Sequence, residues 1–364
     1  MAKRRIGILT GGGDCPGLNA VIRGVTKSAI NKYGMEVVGF HDGFEGLIEE
    51  RFTILRSENV SGILIQGGTI LGTSNKANPF AHWVGEGEER HTVDVSDKCL
   101  ALYEDLGLEA LICVGGDGTM TIGGQLAEKG MNVVGVPKTI DKDLMETDIT
   151  FGFDTARMTA TEAIDRLHTT AQSHHRVMVV EVMGRNAGWL ALESGLAGGG
   201  DVILLPEIPY DIHEVIAAVR RRSRFGKRFS IVVVSEGTRP QGGEQVYQRI
   251  VEDSPDPVRL GGISHVIANQ IEEHTEIECR VTILGHLQRG GTPTPFDRIL
   301  ATQFSVKAME MVNEKKFNQM VAYQGGKLVS VPIEKVMGKQ RTVPVDCDLI
   351  QAALAVGTSF GVPM

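Results

Sequence analysis

The chain has 364 residues, 42% hydrophobic and 23% charged, a composition typical of a globular protein large enough for two domains. Its net charge of −8, from 37 basic and 45 acidic residues, argues against broad nucleic-acid binding. The five cysteines form no CxxC pair or Cys/His ligand spacing, so reduced thiols are expected. The start MAKRRIGILT lacks the apolar run of a signal peptide, and no stretch is long enough for a membrane helix. We therefore expect a soluble, cytoplasmic protein.

Short β-branched runs recur along the chain, each followed by a turn and an amphipathic stretch. The runs predicted as strands lie at residues 6–9, 110–114, 133–136, 176–182, 202–205, 230–235 and 279–284. Near-continuous apolar strands that alternate with helices indicate parallel sheets covered on both faces. We predict an α/β fold of two Rossmann-like lobes with mostly parallel sheets, and an active site in the cleft between them. The polar segment 78–95 is predicted to be a loop or an insertion.

The turn GGGDCPG, after the first predicted strand, fits neither common nucleotide-binding motif. Gly12 and Gly17 have Walker-A spacing, but Leu18 and Asn19 replace the required Lys-Ser/Thr pair. Pro16 occupies the third glycine position of the dinucleotide fingerprint. A strand, a tight turn and a helix still place backbone N–H groups near a helix start, which suits phosphate. A purely structural turn is the alternative.

The turn GGDGT, at residues 115–119, carries a more specific signal. Adjacent glycines let a phosphate chain approach the backbone, and Asp117 could hold Mg²⁺ at a strand end. The alternative is a tight turn with a helix-capping aspartate. The pentapeptide also resembles the signature of NAD kinases and diacylglycerol kinases, so it indicates nucleotide phosphates without fixing the acceptor.

The segment PKTIDKD supplies two carboxylates, Asp141 and Asp143, two residues apart, with Lys138 and Thr139 just before them. Phosphoryl transfer needs a carboxylate to take the acceptor proton, and metal or cationic groups against the developing charge. In an extended segment the two carboxylates share a side and could divide these duties. The alternative is a solvated acidic turn.

Basic side chains follow or flank several of the predicted strands. They are Arg176, Arg185, Arg280, His286 and Arg289. Because arginine forks match phosphate oxygens bidentately, several of them converging on one point would make a phosphate-ester site. Taken singly, each is more typical of a surface salt bridge.

Together these pieces resemble the phosphofructokinase family. The matching motifs, in chain order, are GGGDCPGLNAVIRG, GGTILGTS, GGDGT, GVPKTIDKD, EVMGRNAGWLAL and GHLQRGGTPTPFDR. They run from about residue 5 to residue 300, and the ordered combination of PKTID, MGR and GHLQRGG is highly specific. The resemblance implies MgATP and fructose 6-phosphate as substrates, and a homo-oligomer, dimer or tetramer, with shared active sites.

The resemblance also implies a role for each matching residue. Asp141 would be the base that deprotonates the sugar 1-hydroxyl, in a catalytic group completed by Lys138, Thr139 and Arg185. Mg²⁺ would be held by Asp117 and Asp143. The ATP phosphates would lie against Gly13, Asp117, Gly118 and Thr119. The sugar phosphate would contact Thr139, Asp141, Asp143, Arg176, Met183, Gly184, Arg185, Glu236, Arg280, His286 and Arg289. The lobe formed by 1–152 and 288–338 would bind the nucleotide, and that formed by 153–287 and 339–364 the sugar phosphate.

Four positions bear on the identity of the phosphoryl donor and on the rate of catalysis. In this family Gly118 accompanies ATP, because a carboxylate there would crowd and repel the α-phosphate, whereas Lys138 is shared with pyrophosphate enzymes. Asn75 stands where an arginine usually meets the transferring phosphate. Lys142 stands where other members have Asn, and a cation between the two carboxylates would lower their pKa and compete with Mg²⁺.

Several alternatives remain open at this point. Within the family, the donor could be pyrophosphate, or the acceptor sedoheptulose 7-phosphate. A catalytically weak sugar-phosphate-binding subunit is suggested by Asn75 and Lys142. An NAD kinase would explain GGDGT, but neither PKTIDKD nor GHLQRGG.

Overall fold

The computed structural model describes residues 3–224, 228–250 and 258–363. Its strands are β1 (Arg5–Thr10), β2 (Glu36–Phe40), β3 (Phe52–Leu55), β4 (His82–Val84), β5 (His91–Val93), β6 (Leu108–Gly115), β7 (Val133–Thr139), β8 (Phe151–Gly152), β9 (Val177–Val182), β10 (Val202–Leu204), β11 (Ser230–Ser235), β12 (Tyr247–Ile250), β13 (Val258–Leu260), β14 (Cys279–Ile283), β15 (Gln319–Gln324) and β16 (Lys327–Pro332). Its α-helices are α1 (Leu18–Tyr33), α2 (Phe44–Ile48), α3 (Ser96–Asp105), α4 (Asp117–Glu128), α5 (Phe153–His174), α6 (Trp189–Ala197), α7 (Ile212–Arg224), α8 (Ile263–Thr275), α9 (Pro295–Asn313) and α10 (Asp348–Ala355).

The chain divides into two compact units. Unit 1 comprises Met1–Thr139, Leu144–Asp154 and Arg289–Gln340. Unit 2 comprises Ile140–Asp143, Thr155–Gln288 and Arg341–Met364.

Unit 1 is built on a sheet with the strand order β16-β15-β7-β6-β1-β2-β3, with β8 paired to β7. The strands from β15 to β2 are parallel, and antiparallel β16 and β3 close the two edges. Every residue of β7 is buried, as expected for a strand covered on both faces. Because β1, β6 and β7 are parallel neighbours, the turns GGGDCPG, GGDGT and PKTIDKD begin at one edge of this sheet.

Unit 2 is built on a four-stranded parallel sheet with the order β10-β11-β9-β14. Both β9 and β11 are buried along their whole length. The strands β9, β11 and β14 lead at their carboxyl ends into MGRNAG, EGTRP and GHLQRGG. Ligands bind at this edge of open α/β sheets.

The predicted α/β fold with mostly parallel sheets is confirmed, and each predicted strand is present. Two details differ. The strand predicted at 133–136 extends to Thr139, because Lys138 and Thr139 pair with β8. The segment 78–95, predicted to be a loop or an insertion, contains the antiparallel hairpin of β4 and β5. Within the described ranges, no helix combines the length and apolar character needed to cross a membrane.

Candidate active site

The glycine turn of unit 1 is fixed on two sides by hydrogen bonds. The amide of Gly11 donates to the carbonyl of Val114 in β6 at 2.9 Å. The carbonyl of Gly12 accepts a hydrogen bond of 2.6 Å from the hydroxyl of Thr73, in the loop that also carries Asn75. Gly12 has a φ of 75°, which a residue with a side chain rarely adopts. The turn is therefore held in a shape that only glycine accommodates readily.

Two cations of unit 1 lie against this turn at Gly13. The ammonium of Lys138, in a residue only 6% exposed, donates to the carbonyl of Gly13 at 2.5 Å. One terminal nitrogen of Arg289 lies 2.3 Å from the position that a Cβ atom would take at residue 13. The Nε of Arg289 is buried and has no hydrogen-bond partner among the described residues. The structure thus brings Gly13, Lys138 and Arg289 together, in an arrangement suited to a phosphate.

The residues of GGDGT have three different surroundings. The Oδ1 of Asp117, at the start of α4, accepts a hydrogen bond from the amide of Gly338 at 2.8 Å. Gly118 is exposed, and a Cβ atom there would meet nothing within 4 Å. Thr119 is buried, with its hydroxyl facing Gly11, 2.6 Å from where a Cβ atom would be. Gly118 therefore presents open backbone at a helix start, whereas the Thr119 side chain packs inward.

The carboxylates Asp141 and Asp143 are half-buried and belong to the segment that groups with unit 2. The carbonyl of Asp143 accepts a hydrogen bond from the amide of Arg341 at 2.7 Å. Lys142, expected to act as a cation between them, donates to the Oε1 of Glu193 at 2.7 Å. This ion pair gives Lys142 a carboxylate partner outside the two candidate catalytic aspartates.

The turn after β9 is bound to the turn after β11, within unit 2. Gly184, with a φ of 131°, accepts hydrogen bonds at its carbonyl from the Ser235 hydroxyl at 2.5 Å and the Gly237 amide at 3.1 Å. The amide of Met183 donates to the Gln288 side chain at 3.4 Å. These contacts bring together four of the predicted sugar-binding residues, Met183, Gly184, Arg185 and Glu236. His286 is exposed in the short 3₁₀ helix that follows β14.

Arg176 and Arg280 lie near the amino ends of the strands of the unit 2 sheet, opposite the edge that carries Met183 and Arg185. Arg176 immediately precedes β9, and Arg280 is the second residue of β14. Both guanidinium groups pair with Glu278, and the hydrogen bond from Arg176, followed by the charges of both arginines, lowers the pKa of this carboxyl. The six residues of β9 span about 20 Å. Arg176 and Arg280 therefore do not converge with Arg185 in one chain, contrary to what the strand pattern suggested.

Sequence reasoning missed several residues that hold these groups in place. Glu278 pairs with both arginines, and its spacing of two from Arg280 is the signal that could have found it. Trp189 and Glu193 lie four apart on α6 and so share a helix face. Glu207 accepts hydrogen bonds from the amides of Gly188 and Val343, at 2.9 and 2.8 Å, and no local pattern points to it.

The oxygen donors of the candidate site bear on which metal ion it could hold. Among the described residues, no group of three or more His, Cys, Asp and Glu side chains could hold a metal. Asp117 and Asp143 are the oxygen donors that Mg²⁺ prefers. Mg²⁺ usually takes one or two carboxylates and completes its shell with waters and substrate phosphates. Asp117, at the start of α4 beside Gly118, therefore provides a carboxylate of the kind that this ion uses.

Comparison with known proteins gave matches over nearly the whole chain. A family model described as phosphofructokinase matches residues 5–312. The "ATP-dependent 6-phosphofructokinase 2" of Clostridium perfringens is 53% identical over 360 residues, with 98% of each chain covered. The "ATP-dependent 6-phosphofructokinase 1" of Synechocystis sp. is 49% identical over 361 residues, again with 98% of each chain covered.

Solved structures of similar fold were also found. The Pichia pastoris phosphofructokinase in the T-state has a TM-score of 0.79 at 31% identity, covering 92% of this chain and 38% of that one. This chain thus spans less than half the length of the yeast chain. A pyrophosphate-dependent phosphofructokinase from Nitrosospira multiformis has a TM-score of 0.80 at 20% identity, covering 98% and 92%. At that identity the likeness is one of fold alone.

Proposed function

Because this chain belongs to the phosphofructokinase family, we propose that it is an ATP-dependent 6-phosphofructokinase of glycolysis. It transfers the γ-phosphoryl of MgATP to the 1-hydroxyl of D-fructose 6-phosphate, giving fructose 1,6-bisphosphate and ADP. The observation that carries the proposal is identity of 47–53% over nearly the full length to curated enzymes with this name.

The surroundings of Gly118 support ATP as the donor. The residue is exposed at the start of α4, and no atom lies within 4 Å of the position a Cβ atom would take. A nucleotide can therefore approach the backbone here without meeting a side chain. Buried Lys138 is the feature that favours pyrophosphate as the alternative donor.

In the proposed mechanism, Asp141 removes the proton of the sugar 1-hydroxyl as its oxygen attacks the γ-phosphorus. The new C1–O–P linkage forms while the bond between the γ-phosphorus and the ADP oxygen breaks. Lys138 and Arg185 supply positive charge against the phosphoryl oxygens, and Thr139 helps to position the acceptor. A bound Mg²⁺, held by Asp117 and Asp143, would neutralise charge on the donor phosphates.

The placement of the arginines supports a site shared between the subunits of a homo-oligomer, which we propose is cytoplasmic. Arg185 and His286 follow strands at the carboxyl edge of the unit 2 sheet, whereas Arg176 and Arg280 lie at the amino edge. We assign the sugar 6-phosphate to His286 and Arg289 of one subunit, and to Arg176 and Arg280 of its neighbour.

A coupled assay tests the proposal directly. With fructose 6-phosphate and Mg²⁺, we expect turnover with ATP and turnover at background with pyrophosphate. Turnover with pyrophosphate alone would be consistent with the family but would contradict ATP as the phosphoryl donor. Sedoheptulose 7-phosphate and NAD serve as alternative acceptors, and preference for either would contradict the proposed acceptor.

A further inference from the structure

Lys142 has a backbone conformation that its residue type rarely adopts. Its φ is 55°, in the left-handed region that favours glycine and, less strongly, asparagine and aspartate. It is also the central residue of Asp141-Lys142-Asp143, which carries the proposed base and one proposed metal ligand. A disfavoured conformation persists only where surrounding contacts enforce it. The contacts of Lys142 therefore bear on how these carboxylates are presented.

The side chain of Lys142 is anchored to α6 by a largely buried carboxylate. Its ammonium donates to the Oε1 of Glu193 at 2.7 Å, and the two side chains are 16% and 11% exposed. Arg157 of α5 donates to the Oε2 of the same carboxylate at 2.8 Å. Because water screens a pair of such low exposure only weakly, this contact restrains Lys142 far more than a surface ion pair would.

A second set of contacts connects Lys142 to the backbone of Asp143 through Trp189. The ammonium lies 5.0 Å from the centre of the Trp189 ring, and the guanidinium of Arg341 lies 4.9 Å from it. The indole N–H donates to the carbonyl of Arg341 at 3.2 Å, and the amide of Arg341 donates to the carbonyl of Asp143 at 2.7 Å. Trp189 therefore contacts the side chain of Lys142 directly and is connected to the backbone of Asp143 through Arg341.

We propose that Lys142 is a positioning residue for phosphoryl transfer, which anchors the Asp141–Asp143 backbone to Glu193 and Trp189 of α6. The inference rests on the proposed function. A base displaced by about 1 Å loses about 100-fold in rate, so fixing this backbone supports kcat. Most of the proposed substrate contacts come from residues outside this segment, so the KM values are expected to change far less than kcat. Lys142 thus serves as an anchor and not as a competitor for Mg²⁺.

The test uses a double-mutant cycle in the full-length protein with ATP and fructose 6-phosphate. Lys142→Met keeps the aliphatic length and removes the charge, and Glu193→Gln keeps the shape of its partner. We expect each to lower kcat by about 10- to 100-fold with both KM values within about twofold, and the double variant to lose no more than either single one. Lys142→Arg keeps the charge and is expected to retain most of the activity.

A matched control comes from unit 1. Lys129 also donates to a carboxylate, Asp97, at 2.7 Å and lies 5.9 Å from the ring of Phe80, outside the candidate site. Lys129→Met is therefore expected to keep wild-type kcat.

Two results would overturn the inference: wild-type kcat in Lys142→Met, whether or not its melting temperature falls, or multiplied losses in the double variant. In a Trp83→Phe background Trp189 is the only tryptophan, so an unshifted emission spectrum under selective excitation of tryptophan in Lys142→Met would also contradict the contact. Absence of wild-type turnover with either donor would instead contradict the proposed function.

Discussion

Gly118 is a residue at which stability and catalysis are expected to respond in opposite directions. It occupies the first turn of α4, where nothing lies within 4 Å of a would-be Cβ atom. In Gly118→Asp the new carboxylate favours the helix N-terminus by about 0.3–1 kcal/mol, so the melting temperature is expected to hold or rise. Repulsion of a phosphate at about 5 Å costs about 3 kcal/mol at an effective dielectric constant of about 20, which lowers kcat/KM for ATP about 100-fold.

Calorimetry and steady-state kinetics on the same preparations check this pair of effects. Gly118→Ala adds a Cβ atom without charge and is expected to stay close to wild type in both. Equal ATP kinetics in Gly118→Asp and wild type would show that the nucleotide phosphates do not pass this position.

The reactivity of the cysteine thiols is expected to depend on pH. Burial raises the pKa of Cys15, Cys99, Cys113 and Cys279 to about 12 in each case. At pH 8 these groups are almost entirely protonated and unreactive, since the thiolate is the nucleophile. Cys347 is half-exposed. Titration of the native protein with Ellman's reagent at pH 8 should therefore show one fast thiol per chain, and five after denaturation.

The variant Cys347→Ser is expected to abolish the fast phase. A second native thiol reacting at a comparable rate would contradict the burial of the other four. The slow thiols should become faster as the pH rises towards 12, because their thiolate fraction grows in that direction.

Among the secondary-structure elements, α1 and the loop at residues 66–75 are joined by one buried side chain, that of Asn19. Asn19 is 1% exposed; its Nδ2 donates to the carbonyl of Gly67 at 3.1 Å, and its Oδ1 accepts from the amide of Ile70 at 2.8 Å. Asn19→Ala leaves these backbone groups without partners, at a cost of about 2 kcal/mol. We expect the melting temperature of the protein to fall by about 4–8 °C, measured by calorimetry.

The control for this variant is Asn59→Ala. The Oδ1 of Asn59 accepts a hydrogen bond from the amide of Arg56 in an exposed turn, where water can replace it. Its melting temperature should therefore stay within about 1–2 °C of wild type. Equal losses in Asn19→Ala and Asn59→Ala would contradict the role assigned to Asn19.

The sequence predicted seven of the sixteen described strands, because near-continuous apolar runs such as 110–114 leave little ambiguity. It could not predict the extension of β7 through Pro137, since the partner strand β8 lies fourteen residues further on and is only two residues long. The three-residue strands of the 78–95 hairpin are too short and too polar to show a period.

The sequence motifs predicted which residues belong to the site, but not which of them contact each other. PKTIDKD and GHLQRGG pointed to Lys138 and Arg289, yet their approach to Gly13 depends on the fold of unit 1. Glu193 lies fifty-one positions from Lys142 along the chain, so no local spacing connects the two. The same holds for the pairing of Arg176 with Glu278, which are 102 positions apart.

For the molecule as a whole, the proposed assignment of Arg176 and Arg280 to a neighbouring subunit predicts that active sites are shared between subunits. Chains carrying Asp141→Asn and chains carrying Arg280→Ala are each expected to have little activity alone. When the two are unfolded, mixed equally and refolded, a pairwise-shared site should restore about a quarter of wild-type activity. If activity does not recover, or if light scattering shows only monomers, Arg280 does not belong to the proposed site.

The proposed activity is tested by ³¹P NMR of the reaction mixture with fructose 6-phosphate, Mg²⁺ and ATP. We expect wild-type protein to produce fructose 1,6-bisphosphate and ADP in equal amounts. Asp141→Asn should slow both by about 100-fold or more, because the acceptor proton has lost its base. Wild-type protein that forms no bisphosphate from ATP would contradict the proposed activity, and an Asp141→Asn variant that forms it at the wild-type rate would contradict Asp141 as the base.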